Sequence, residues 1–201
     1  MISRYSKLAK ITDEFKKLIQ TFKTESIYKT PAFKKKKKYL EILRHGSEEN
    51  GWFYYVQRLG KNSVAFVLYD PSHNNEFGIL KSYSSPYKKF IVDAFTGSLD
   101  KPELSVEDIV IEEVKEEAGY TVNKDRLKKT GEYLVGTSTD ETVYGFLIDV
   151  NRMPPEKKDP ENLFEANMDT IWTTFENVMS NPDIGWRAKM ILQDAKNKGI
   201  V

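Results

Sequence analysis

Apolar residues near the start of the chain, Leu8, Ile11, Phe15, Leu18, Ile19 and Phe22, recur at helical spacing. A 3.6-residue repeat gathers them on one stripe, so residues 6 to 24 are predicted to form an amphipathic helix that packs on a core or an interface. Thr30-Pro31 breaks the pattern. From Gly51 the chain reads as strands. WFYYVQR, SVAFVLY, FGILKSY and FIVDAF are rich in β-branched and aromatic residues, and DPSHNNEFG supplies turn residues between two of them. Further strands are expected at EYLVG, ETVYGFLIDV and MDTIWTT, with a polar Pro-rich loop from Met153 to Pro160 and helices near Glu176 and from Trp186 to Lys198. Strands divided by one central helix and closed by another predict an α+β sandwich.

The central helix carries the most chemistry. It places Glu112, Glu113, Glu116 and Glu117 together and is closed by Gly119. Glu113, Glu116 and Glu117 stand at i, i+3 and i+4 and share a face, while Val110, Val114 and Ala118, with Ile111 beside them, form the opposite stripe. Ser105 suits an N-cap with Asp108 three residues on, and Gly119 suits the left-handed position that stops a helix. Like charges at i,i+4 cost a helix about 0.2–0.5 kcal/mol per pair, and only Lys115 lies inside the cluster to offset them. A bound cation would remove that penalty; a solvated acidic face is the alternative.

A glycine, five residues, a glutamate, and then an acidic helix with its closing glycine resemble the Nudix box. Gly97 and Glu103 match the first spacing, and Glu113, Val114, Glu116, Glu117, Gly119 and Tyr120 match the second half. The gap after Glu103 is one residue longer than the family pattern. Measured back from Ser105, the family glutamate falls on Leu104. Glu112 stands where the family has the arginine that braces the loop-helix-loop. The resemblance implies an α/β/α sandwich with a mixed sheet over residues 46–201, preceded by a helical and basic extension over 1–45. It also implies Mg²⁺ or Mn²⁺ held by Glu113 and Glu117, with Glu116 and the Thr96 carbonyl completing the site.

Beyond the box, residues 50 to 198 are similar to the ADP-ribose pyrophosphatase branch. Val92 to Gly97 stands where that branch has its strand before the box, and Thr137 to Glu141 partly matches a substrate loop, which nominates Asp140 and Glu141. The acid of a later loop, a metal ligand or base, falls on Glu165, with Glu161 and Asp169 as alternatives; Glu116 is the second residue nominated for catalysis. Trp52 and Phe53, before Val56 and Arg58, fall where the branch holds adenine, although core packing accounts for such aromatics equally well. Ser84 replaces the branch's phosphate-binding arginine, leaving Lys88 or Lys89 to supply charge. The branch is commonly dimeric, so a homodimer is expected.

Composition narrows the remaining classes. In 201 residues, 39% hydrophobic and 30% charged with a formal net charge of +1, there is enough apolar material for one full domain and no overall polyelectrolyte character. Lys34 to Lys38 nevertheless concentrate positive charge, either as a solvated surface or as a contact for phosphate or RNA. No cysteine is present, so disulfide and thiolate-metal chemistry are excluded. MISRYSKLAK lacks the apolar core of a signal peptide and no run is long enough to span a membrane, which predicts a cytoplasmic protein without a membrane partner. His45 and His73 form no catalytic constellation. The expected activity is hydrolysis of a nucleoside diphosphate linked to another moiety, favouring ADP-ribose or a related ADP-sugar. A capped-RNA or dinucleotide pyrophosphatase and a catalytically weak Nudix-fold binding module are the competing readings.

Overall fold

The computed structural model describes residues 23–29 (backbone only), 41–58, 62–84, 87–156, 158 and 168–201. These divide into two compact units. The first takes in the chain up to Gly60 together with Val135–Glu141. Its sheet is an antiparallel meander of β1 (Lys23–Lys29), β2 (Glu41–Ser47) and β3 (Gly51–Gln57). The Val135–Glu141 segment joins it through the Val56 N–H, which donates to the Ser138 carbonyl at 2.8 Å. Most of the expected N-terminal helix, and Lys34 to Lys38, lie outside the described residues. Lys23 and Thr24, placed at the end of that helix by periodicity, open β1 instead, and residue 45 falls inside β2.

The second unit contains the main sheet. Its strands are β4 (Ser63–Asp70), β5 (Glu76–Ser84), β6 (Lys89–Asp93), β7 (Phe95–Ser98), β8 (Leu127–Leu134), β9 (Thr142–Asp149) and β10 (Asp169–Thr173). The order β10-β5-β4-β9-β8 forms the body, with β6 on β5 and β7 on β4. β4 and β9 run parallel and the other pairs antiparallel, so the sheet is mixed.

Strand alternation sends apolar side chains to both faces of β4, as a central strand requires. Val64, Phe66 and Leu68 join a core with Phe95, Phe146 and Ile148, onto which α1 (Val106–Glu113) lays Ile109 and Val110. Phe66 and Phe95 stack within it at 4.9 Å. Ala65 and Val67, equally buried, face the other way. There α3 (Trp186–Asn197) contributes Ala188, Ile191, Leu192 and Ala195, and Gly145 allows Ile191 to approach the sheet closely. A short helix, α2 (Phe175–Ser180), precedes α3. With helices on both faces, the unit is a three-layer sandwich. No helix among the described residues is long and apolar enough to cross a membrane.

Candidate active site

The acidic helix is built from its cap inward. Ser105 and Asp108 form a reciprocal capping box, and Lys124 reaches Asp108 at 2.7 Å. Hydrogen bonds from Lys124 and Ser105 hold the Asp108 carboxyl below its ordinary range. After Glu113 the helix widens into a π turn, Val114–Ala118, before Gly119 ends it at φ 76. Such single π turns recur at functional sites. No side chain fits readily at Gly119 for a second reason: a Cβ there would lie 2.7 Å from the Glu156 carbonyl, whose own N–H donates to the Gly119 carbonyl at 2.6 Å. The helix end is therefore tied to the Pro-rich loop.

Two of the four glutamates turn toward β7. The Thr96 N–H donates to Glu117 Oε2 at 3.3 Å. A Cβ on Gly97 would come within 2.2 Å of Glu113 Oε1, so the absence of a side chain makes room for that carboxylate. Glu117, expected on the face opposite the buried stripe, is only 5% exposed. Glu116 is partly exposed. Negative charge in the last turn also opposes the helix dipole, which favours cations at that end. One cation is supplied by a residue that sequence reading did not single out. Lys158, in the Pro-rich loop, is partly buried and donates to the Met168 carbonyl at 2.8 Å. Burial pushes its pKa down, against the opposing pull of Asp169 and Glu117. No local pattern marked Lys158; tertiary contacts from Glu156 to Gly119 and Thr121 bring its loop to the helix end.

Glu112, at the position of the family arginine, pairs with Lys101 at 2.5 Å, while Glu103 is exposed and Leu104 packs against the core. Among the later-loop acids, Glu165 and Glu161 lie outside the described residues. Asp169 opens β10 and feels Lys158.

The expected substrate residues of the first unit are brought together differently. The Arg58 guanidinium meets Glu141 at 2.5 Å, and the Arg58 backbone N–H donates to Asp140 Oδ1 at 3.0 Å. Trp52 and Phe53, as neighbours on β3, project to opposite sides of their sheet. The Arg44 guanidinium lies 4.0 Å over the Trp52 ring, whose indole nitrogen is buried with no hydrogen-bond partner among the described residues, while Phe53 is half exposed. Lys88 and Lys89 are exposed on the β5–β6 hairpin, and Ser84 faces Lys89 across it.

No protein-family profile matches the chain, and no curated protein matches it in sequence. A crystal structure described as an ADP compounds hydrolase superposes with a TM-score of 0.63 at 15% identity, over 89% of this chain and 97% of that one. At that identity the likeness speaks for the fold. The architecture is the α+β Nudix sandwich with a mixed sheet.

Whether the residues fit a divalent cation can be judged from the donors. Among the described residues no group of three or more His, Cys, Asp or Glu side chains is arranged to hold a metal ion. Mg²⁺, however, characteristically takes one or two carboxylates and fills its remaining positions with water and substrate phosphate. Glu113 in the space left at Gly97, and Glu117 against Thr96, supply two hard oxygen donors of that kind. The donor set fits.

Proposed function

We propose that the chain is a Nudix-type hydrolase that cleaves the pyrophosphate bond of a nucleoside diphosphate linked to another moiety, with ADP-ribose or a related ADP-sugar as the favoured substrate. The observation that carries this reading is the approach of Glu113 and Glu117 to Thr96 and Gly97 of β7. Likeness in fold to an ADP compounds hydrolase favours an adenine-bearing substrate.

Glu113 and Glu117 would hold Mg²⁺ or Mn²⁺, with Glu116 and the Thr96 carbonyl as further donors. When bound, the ion neutralises phosphate oxygens and lowers the pKa of water. The Thr96 N–H orients Glu117, and Lys158 offsets its charge beside Asp169. Glu165 is the proposed base, with Asp169 as its described alternative. Lys88 and Lys89 would meet phosphate where Ser84 lacks the charge of an arginine. A lost charge-assisted hydrogen bond is worth about 1.5–3 kcal/mol, so substrate binding should be weak. Asp140, Trp52 and Phe53 are the proposed substrate contacts of the first unit, while Arg58 and Glu141, paired with each other, would hold that region in place. The functional unit is proposed to be a cytoplasmic homodimer, which sedimentation at micromolar concentration tests.

The deciding experiment incubates the protein with ADP-ribose, a dinucleotide and capped RNA, with Mg²⁺ or Mn²⁺ and with EDTA. AMP and ribose 5-phosphate, formed with a high KM and abolished by EDTA, are the expected result. Efficient cleavage of capped RNA or the dinucleotide without AMP from ADP-ribose overturns the substrate assignment. No turnover of any of them establishes the binding-module reading that Glu112, Leu104 and Ser84 keep open.

A further inference from the structure

The β5–β6 hairpin presents a second concentration of chemistry. From Lys81 to Phe90 the chain has three lysines, three aromatics and no carboxylate. Tyr83, Tyr87 and Phe90 are 47%, 71% and 55% exposed, large areas for rings that could have been buried in a core. Tyr83 and Phe90 face each other across the strands with ring centres 5.7 Å apart, and the Lys81 ammonium lies 5.2 Å over the Phe90 ring. Against the hairpin, a cavity of about 380 Å³ is walled by Tyr87, Lys89, Trp186 and Arg187. The Arg187 guanidinium sits 4.9 Å over the Trp186 ring, which is itself 38% exposed.

Two carboxylates also line this cavity, Asp93 and Asp183. Asp93 is committed: it accepts the Ala188 N–H at the start of α3 at 3.0 Å and that of Ala94 at 2.8 Å, and lies 3.5 Å from Arg187. Asp183 is exposed at the rim. Lys81, Lys88, Lys89 and Arg187 outnumber the pair.

Solvent-facing rings interleaved with cations form the surface on which unpaired bases stack while phosphates meet positive charge. We infer that the hairpin and the start of α3 bind single-stranded nucleic acid, with one base entering the cavity between Tyr87 and Trp186 and the flanking phosphates on Lys88 and Lys89. A duplex hides its base faces and does not suit such rings. A symmetric second copy would set this lysine cluster against its own image.

Anisotropy of a short fluorescein-labelled oligouridylate, titrated with the full-length protein in EDTA, tests the inference without any turnover, so the hydrolase reading and this one can fail separately. Binding is expected to weaken steeply between about 50 and 200 mM salt, with a slope that falls by about two in Lys88→Gln/Lys89→Gln. Tyr87→Ala and Trp186→Ala should each lose roughly fivefold or more in affinity, and Trp186→Phe, which keeps a stacking ring, should retain most of it. Thermal unfolding of each variant shows that the fold persists. The inference is overturned by absence of binding at about 50 mM salt, by equal affinity in the alanine variants, by preference for duplex, or by variants that alter only self-association in sedimentation.

Discussion

The acidic helix and the N-terminal sheet hold their charged side chains in contrasting ways. Glu113 and Glu117 are drawn toward the backbone of β7, one into the space left by a glycine and the other toward a main-chain N–H. Arg58 and Glu141, by contrast, are paired with each other, and Arg44 covers one face of the Trp52 ring. Carboxylates gathered at the C-terminal end of a helix work against its dipole and against one another, which selects for a cation. A closed ion pair is already satisfied and needs no ligand. One set of nominated residues therefore covers two kinds of surroundings, carboxylates set against a strand backbone and a carboxylate set against a guanidinium.

The largest expected effect tests the first half of this contrast. Glu117→Gln keeps the size of the side chain and its contact with Thr96 but removes the charge, so turnover should fall about 10²-fold or more, the scale of a major electrostatic contribution. Steady-state kinetics at saturating ADP-ribose and Mg²⁺ measure it. Near-normal turnover would remove Glu117 from the metal-binding set and make the acidic helix no more active than the N-terminal sheet.

Arg58→Ala tests the second half. If the Arg58–Glu141 pair is structural, the variant leaves a carboxylate only 9% exposed without its guanidinium, at a cost of about 1–3 kcal/mol. For a chain of this length that lowers Tm by roughly 2–4 °C per kcal/mol. The expected outcome is a clear drop in Tm with a small change in KM. A raised KM at unchanged Tm would show that Arg58 spends its charge on substrate, and the two regions would cease to differ.

How far these regions were legible in the sequence follows from how local their contacts are. Ser105, Asp108 and Gly119 act within a turn or two of themselves, so the boundaries of the acidic helix could be read directly. The strands from Ser63 onward were legible because alternation and β-branched residues are local signals, although β8 begins at Leu127, five residues before the EYLVG run, and FIVDAF divides into β6 and β7. In the meander, β3 was read from its aromatic run, but β2 was not legible, because Glu41–Ser47 shows little alternation and its strand character depends on partners on both sides. Neither was the membership of Val135–Glu141 in the first unit, which rests on the bond from Val56 to Ser138. The burial of Glu117 and the arrival of Lys158 both depend on tertiary contacts that no spacing rule encodes.

Lys158 gives a smaller and more specific test. Its positive charge is felt beside Glu117 and Asp169 and should compete with a second cation there. Lys158→Met keeps the aliphatic stem and removes the charge, so Mg²⁺ should bind several-fold more tightly, as expected for loss of a like-charge repulsion of order 1 kcal/mol in a solvated setting. Calorimetric titration of the metal into the substrate-free protein reads this directly. Unchanged or weaker metal affinity would mean that Lys158 serves only to fix its loop through the Met168 carbonyl.

The smallest effect is expected at Lys101–Glu112, where this chain departs from the arginine of the Nudix pattern. Lys101 lies in the segment before the helix and Glu112 near its last turn, so the pair ties the helix to the loop that enters it, with acid on the helix and base on the loop. Both side chains are about two-fifths exposed, 43% and 41%, and water screens them, which limits the pair to about 0–1 kcal/mol. Glu112→Lys alone turns attraction into repulsion and should lower Tm by a degree or two and turnover only modestly. Adding Lys101→Glu restores opposite charges with the sense reversed. Recovery of both Tm and turnover in the double variant would show that the brace requires complementary charge rather than a particular residue. A double variant no better than Glu112→Lys would assign the tie to the loop's apolar contact through Leu104 instead.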